Sequence, residues 1–157
     1  MKYIVGLGNP GQKYMNNRHN AGHMFIDFLN NKNITSVKGM KTDCFMNVSG
    51  VFVKKQVNSQ NISLTDLFIA HDDLDIPLGS FKIQLGRGPK IHNGIDSVEQ
   101  ELGSEAFWRI RIGIDTRTAA GGARPSGEEY VLSDFTADEL KTLAETFSQV
   151  AIRLKTV

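Results

Sequence analysis

Residues 3–22, YIVGLGNPGQKYMNNRHNAG, join an apolar run, a polar break and the first residues of a helix. Lys2 to Leu7 is almost continuously apolar, the pattern of a strand covered on both faces. Gly8-Asn9-Pro10-Gly11 ends it. Beyond Asn16-Asn17 the apolar spacing changes to Ala21, Phe25, Phe28 and Leu29, one face of a helix that stops in Asn30-Asn31-Lys32-Asn33. Strand, loop and helix in this order put Asn9 at a strand end and His19 and Asn20 at a helix start. One crossover then gathers amide and imidazole groups at the carboxyl edge of a sheet, where open α/β sheets hold their ligands.

The rest of the chain repeats the alternation. Short strands are expected over Ile34–Lys38 and Met40–Phe45, joined at Lys38-Gly39, with a helix after Asn47 ending near Asn58-Ser59. Leu67-Phe68-Ile69-Ala70 reads as a second buried strand, followed by the polar run His71-Asp72-Asp73-Leu74-Asp75 and a turn at Pro77-Leu78-Gly79. A strand over Phe81–Leu85, the loop LGRGPKIHNG and a helix marked by Ile95, Val98 and Leu102 and closed by Gly103 come next. Phe107–Ile114 alternates, with Arg109 and Arg111 on one side and Trp108, Ile110 and Ile112 on the other. Residues 115–129 read as a long loop carrying Arg117 and Arg124. Thr136 and Glu139 form a capping box before a helix whose apolar face runs from Leu140 to Leu154. The expected fold is a single-domain three-layer α/β/α sandwich over residues 1–157, on a mixed, largely parallel sheet.

Composition narrows the function. A chain of 157 residues with 40% hydrophobic and 22% charged residues is sized and balanced for one globular domain. No apolar run approaches a membrane span, no signal-peptide core opens the chain, and the lone Cys44 suits a reducing compartment, so the cytoplasm is expected. A net charge of +1 excludes an extended basic coat but leaves room for a local phosphate-binding patch. Gly6-Leu7-Gly8-Asn9-Pro10-Gly11 fits G-x-G-x-x-G, yet Pro10 and Asn16-Asn17 imply a loop where that fingerprint opens a helix. The acidic residue due about 20 positions on would be Asp27, inside the helix. His19 and His23 lack the H-E-x-x-H context of a zinc site, and no G-x-S-x-G elbow is present, so neither a metal nor a serine nucleophile is expected.

What remains is a set of polar residues beside predicted elements: Asn9, His19, Asn20, Asn47, Asp72, His92 and Asn93. Singly each has a local explanation, as a turn former or a helix cap. Together the blocks VGLGNPG, Tyr14, RHNAG, FMNVSG, AHDDLDIPLG, HNG and RIRIGI occur in an order that resembles bacterial-type peptidyl-tRNA hydrolases over almost the whole chain. The resemblance implies hydrolysis of the ester joining a peptide to the terminal ribose of tRNA. His19 falls on the catalytic histidine, Asp72 on its partner, and Asn9, Asn47 and Asn93 on the site asparagines. In such a site His19 takes a proton from water, Asp72 orients and stabilises the imidazolium, and Asn9 or Asn93 donates to the oxyanion. Tyr14, Asn20, Phe45, Met46, Asn47 and His92 are expected around the substrate. Arg111 matches a position proposed to hold tRNA phosphate, with Lys82, Arg87 and Lys90 nearby and Arg109, Arg117 and Arg124 as further cations. No cofactor is implied, and the expected partner is peptidyl-tRNA, met by a monomer.

Three departures from the family pattern stand out. Gln84 occupies the place of a lysine, the loop before HNG reads Arg87-Gly88-Pro89-Lys90-Ile91 where glycine is usual, and two segments are short. They motivate the alternative of a non-catalytic RNA-binding relative.

Overall fold

The computed structural model describes residues 1–117 and 125–157, and Arg124 lies outside them. Five strands form one sheet in the order β2-β1-β3-β5-β4. These are β1 (Lys2–Gly6), β2 (Val37–Lys41), β3 (Leu67–Pro77), β4 (Phe81–Leu85) and β5 (Trp108–Asp115), and only β4 runs antiparallel, against β5. Alternate residues of the central strands feed two cores. Ile4, Phe68, Ala70, Ile110 and Ile112 face α1 (Ala21–Lys32), α4 (Gly127–Val131) and α5 (Ala137–Arg153). Val5, Leu7, Leu67 and Ile69 face α2 (Ser49–Ser59) and α3 (Asn93–Leu102). The fold is therefore the three-layer α/β/α sandwich on a mixed, largely parallel sheet.

Three local expectations are corrected. Ile34–Phe45 supplies one strand, β2, and Gly39 lies inside it opposite Ile4 rather than at a turn. A Cβ there would sit 3.0 Å from Asn30 Oδ1 and 3.3 Å from Ile26, so the glycine admits α1 against the sheet edge. β3 does not stop at Ala70 but continues through the acidic run to Pro77, because β5 pairs with it as far as Asp115. The stretch 115–129 is not all loop: Ser126 caps the short α4 by accepting from Glu129 N.

The helix that carries the opening motif is held by backbone contact. A Cβ on Gly6 would lie 2.3 Å from Gly22 O, one on Gly22 would lie 2.3 Å from Ala70 O, and one on Gly8 would enter the His23 ring. Gly6 and Gly8, the first two glycines of the fingerprint-like run, thus serve close helix-to-sheet approach, whereas Gly11 has open space around it and a φ of 102°. Their effect is to draw the N-terminus of α1, and the residues before it, onto the carboxyl ends of β1 and β3.

Candidate active site

Asp72 is the centre of the site. It is 1% exposed on β3 and accepts from two imidazoles. His19 Nδ1 lies 3.0 and 2.9 Å from its two carboxylate oxygens, and His92 Nε2 lies 2.8 Å from Oδ1. The tautomer of His92 follows from its other nitrogen: Nδ1 accepts from Gly94 N and Ile95 N and so caps α3, leaving the proton on Nε2 to be donated to Asp72. His19 is held the opposite way round. It sits in a single 3₁₀ turn, Arg18–Asn20, ahead of α1, donates from Nδ1, and keeps the Nε2 lone pair on the side of the cleft it lines. His19, Asp72 and His92 bring possible ligand atoms within 4.8 Å of one another. Their N···O separations of 2.8 to 3.0 Å are hydrogen-bond distances.

Charge follows geometry. Burial lowers the basicity of His19, but the charge and hydrogen bond of Asp72 outweigh it and leave the ring's pKa raised above 6.5. Burial pushes the Asp72 carboxyl up, and the two imidazoles overcome this and hold it well below the usual carboxylate range.

Asn9 supplies an oriented amide. Its Oδ1 accepts from Met46 N at 2.8 Å, which fixes the side-chain flip and leaves the Nδ2 hydrogens for the cleft. Its backbone is gripped by Asn20: Asn9 N donates to Asn20 Oδ1 at 2.9 Å, and Asn20 Nδ2 donates to Asn9 O at 3.0 Å.

The cleft these groups share has a volume of about 750 Å³. It is lined by Phe45, Met46 and Asn47, by Asp73, Leu74 and Asp75 at the end of β3, by Pro89 to Asn93 ahead of α3, and by Arg117, Glu128, Val131 and Leu132. Met46 is buried with its sulfur against Gly94, where a Cβ would come within 2.5 Å. Ile91 is 84% exposed at the rim.

Asn20 and Tyr14, expected around the substrate, are not among the residues that line the cleft. Both amide atoms of Asn20 are engaged by Asn9, and Tyr14 stands edge-on to Phe45, 6.3 Å between centroids, in an adjoining groove. His92 lines the cleft but acts first on Asp72. Of the cations, Lys90 lines the cleft, Lys82 and Arg87 are exposed outside its lining, and Arg109 is unavailable. Arg109 is 1% exposed and held by Glu99 and the carbonyls of Glu105 and Phe107.

Sequence reasoning missed Arg18. Its guanidinium donates to Ser133 Oγ, Asp134 O and Glu139 Oε1 and lies 4.3 Å from the Tyr130 ring, so the residue before His19 is fastened to the segment between α4 and α5. Glu139 at the same time completes the capping box of α5. The only signal in the sequence was an arginine beside the motif histidine.

Two other histidines tie stability to pH. His71 is fully buried on β3, donates from Nδ1 to Asp72 O at 2.7 Å, and is pushed down to about 3 by burial first and by His92 second. Burial first and Lys41 second push His23 to about 4. Below pH 6.5 the unfolded chain takes up protons that the folded chain refuses, so stability falls as pH drops toward 4. Each ring contributes a slope approaching about 1.4 kcal/mol per pH unit. His19, with its raised pKa, has the opposite sign and acts only above 6.5. Urea midpoints followed by circular dichroism between pH 7 and 4 are expected to fall, and His71→Phe is expected to reduce that slope by about half. A flat profile in the parent chain would contradict the assignment.

An α/β sandwich with an imidazole, a carboxylate and an oriented amide at the carboxyl edge of its sheet is of the hydrolase class. The model of the family described as Peptidyl-tRNA hydrolase matches residues 3–157, and the chain belongs to that family. The peptidyl-tRNA hydrolase of Geotalea uraniireducens (strain Rf4) is 40% identical over 161 aligned residues, covering 89% of this chain and 81% of the relative. That of Citrifermentans bemidjiense is 40% identical over 165, covering 92% and 84%. Among solved structures, the peptidyl-tRNA hydrolase of Acinetobacter baumannii aligns with a TM-score of 0.79 at 29% identity, covering 94% of this chain and 83% of that one. A peptidyl-tRNA hydrolase in complex with N-propanol gives 0.82 at 28% identity with the same coverage.

Proposed function

We propose that the whole chain acts as one cytoplasmic, monomeric peptidyl-tRNA hydrolase domain, cleaving the ester between a peptide and the 3′ ribose of tRNA and so recycling both. The carrying observation is that one cleft presents a neutral-capable imidazole braced by a buried carboxylate and an amide whose donor end is fixed. His19 Nε2 takes a proton from water as it attacks the ester carbonyl, and Asp72 stabilises the imidazolium. Asn9 Nδ2 donates to the oxygen as it gains charge. The proton then passes from His19 to the departing ribose oxygen, which yields free tRNA and a peptide acid. Asn47 and Asn93, both exposed in the cleft, hold the peptide and the terminal nucleotide, with Phe45 and Met46 as an apolar floor.

The chemistry requires neither a covalent nucleophile nor a metal. The intact His19–Asp72 pair argues against the non-catalytic alternative that the altered 86–91 loop suggests. The test is release of free tRNA from N-acetylaminoacyl-tRNA by the pure protein; binding without release would select the alternative. Asn9→Ala is expected to reduce kcat by about 10²–10³-fold with a smaller change in KM, the loss of one oriented oxyanion donor. An equal rate would move that role to Asn93.

A further inference from the structure

The turn that carries the imidazole is short and takes its place from its neighbours. Arg18–Asn20 spans three residues, no side chain caps it, and its last residue is clasped by Asn9. Its first residue is the other tether. Arg18 is buried, and its guanidinium donates to Ser133 Oγ, to Asp134 O at 2.8 Å and to Glu139 Oε1 at 2.8 Å while lying 4.3 Å from the centre of the Tyr130 ring. Tyr130 in turn donates its hydroxyl to Ile114 O at 2.6 Å, on β5, two residues past the Ile112 that pairs in register with Asp72. A closed path therefore runs from His19 through Arg18, Tyr130 and the ladder of β5 and β3 back to Asp72.

Resting on the proposed hydrolase reading, we propose that Arg18 is a positioning residue that holds the His19 ring against Asp72 and, by the same contacts, sets the stretch of cleft wall formed by Val131 and Leu132. Three observations favour position over bare stability. The ion pair with Glu139 strips water from both groups, so its net stabilisation is small, and Arg18 Nε is buried with no partner among the described residues, a further cost. What a planar fork on three acceptors and an aromatic face does supply is one allowed direction. The two segments are also joined without the guanidinium: Arg18 N donates to Ser133 O, Phe135 N to Asn16 O, and Asn17 Nδ2 to Leu132 O. Lastly, burial and Asp72 set the protonation of His19, and the charge of Arg18 has no part in it. Arg18 thus governs where the ring stands.

The test measures turnover of N-acetylaminoacyl-tRNA from pH 5 to 9, urea midpoints, and the titration of the His19 ring by NMR. Asp72 from β3 and His92 ahead of α3 face that ring, and Asp73, Asp75, Lys90, Arg117 and Glu128 share its cleft; none of them is altered. Arg18→Met keeps the length of the side chain without its donors, and Arg18→Lys keeps the charge without the fork. Each is expected to lose about 10–10²-fold in kcat, the effect of a misplaced catalytic group, with a smaller change in KM. Each is also expected to move the acid limb and the ring titration to lower pH, because an imidazole that stands off the carboxylate loses what raises its pKa. Thr136→Ala removes the hydroxyl that caps α5 but no hydrogen bond of Arg18, and is expected to lower the urea midpoint while kcat and the limb stay at parent values. Full kcat with an unmoved titration in R18M and R18K, or an equal loss of kcat in T136A at the same drop in midpoint, would overturn the proposal. No turnover by the parent, with the ring titration still lowered in both Arg18 variants, would overturn the hydrolase reading and leave the brace standing.

Discussion

His19→Ala is expected to slow the release of tRNA from N-acetylaminoacyl-tRNA by about 10²–10⁴-fold, the range over which a positioned general base acts. The loss is chemical rather than structural. Asp72 keeps the hydrogen bond from His92 Nε2 at 2.8 Å after the His19 ring is gone, so its buried charge is not orphaned. The urea midpoint should therefore stay near that of the parent while kcat collapses and KM changes little. Turnover equal to the parent's would show that some other group activates the water.

Asp72→Asn is expected to have an effect as large, with a distinctive pH signature. The base must be unprotonated, so activity rises with pH through the pKa of His19. In the parent chain that acid limb lies above 6.5, because Asp72 outweighs the lowering effect of burial. With the counter-charge removed only burial remains, and the limb moves below 6.5. The plateau falls as well, by about 10²–10⁴-fold, because an amide can donate to Nδ1 and so favours the tautomer with its proton on the cleft nitrogen. Rates measured from pH 5 to 9 separate the two effects. An acid limb that stays in place would mean that a different group titrates.

The sequence disclosed the layers of this fold better than its site. Elements whose faces are apolar, such as α5 with its Thr136–Glu139 box, carry their own periodicity and caps. β3 did not. His71, Asp72 and Asp73 look like loop residues until β5 supplies the ladder and His19, His92 and Arg111 supply partners 20 to 53 positions away. The same holds for Arg109, which the sequence offers as a further cation for phosphate, while the cover of α3 through Glu99 makes it interior. His19, Asp72, Asn9 and His92 could be named from motifs, but a motif does not say which atom of Asn9 faces the cleft. Met46 N decides that, from 37 positions away. Local pattern reports what a segment can bury, and it is silent on buried polar groups, whose partners come from other segments.

The reciprocal amide contact between Asn9 and Asn20 has a mechanical consequence. Asn20 follows His19 directly in the chain and clasps both backbone polar groups of Asn9. One side chain therefore couples the two segments that carry the imidazole and the amide, so a change that moves one presses directly on the other. The gap between them, where an attacking water and a carbonyl have to meet, is thus spanned by a clasp that is local to the site and not borrowed from the core.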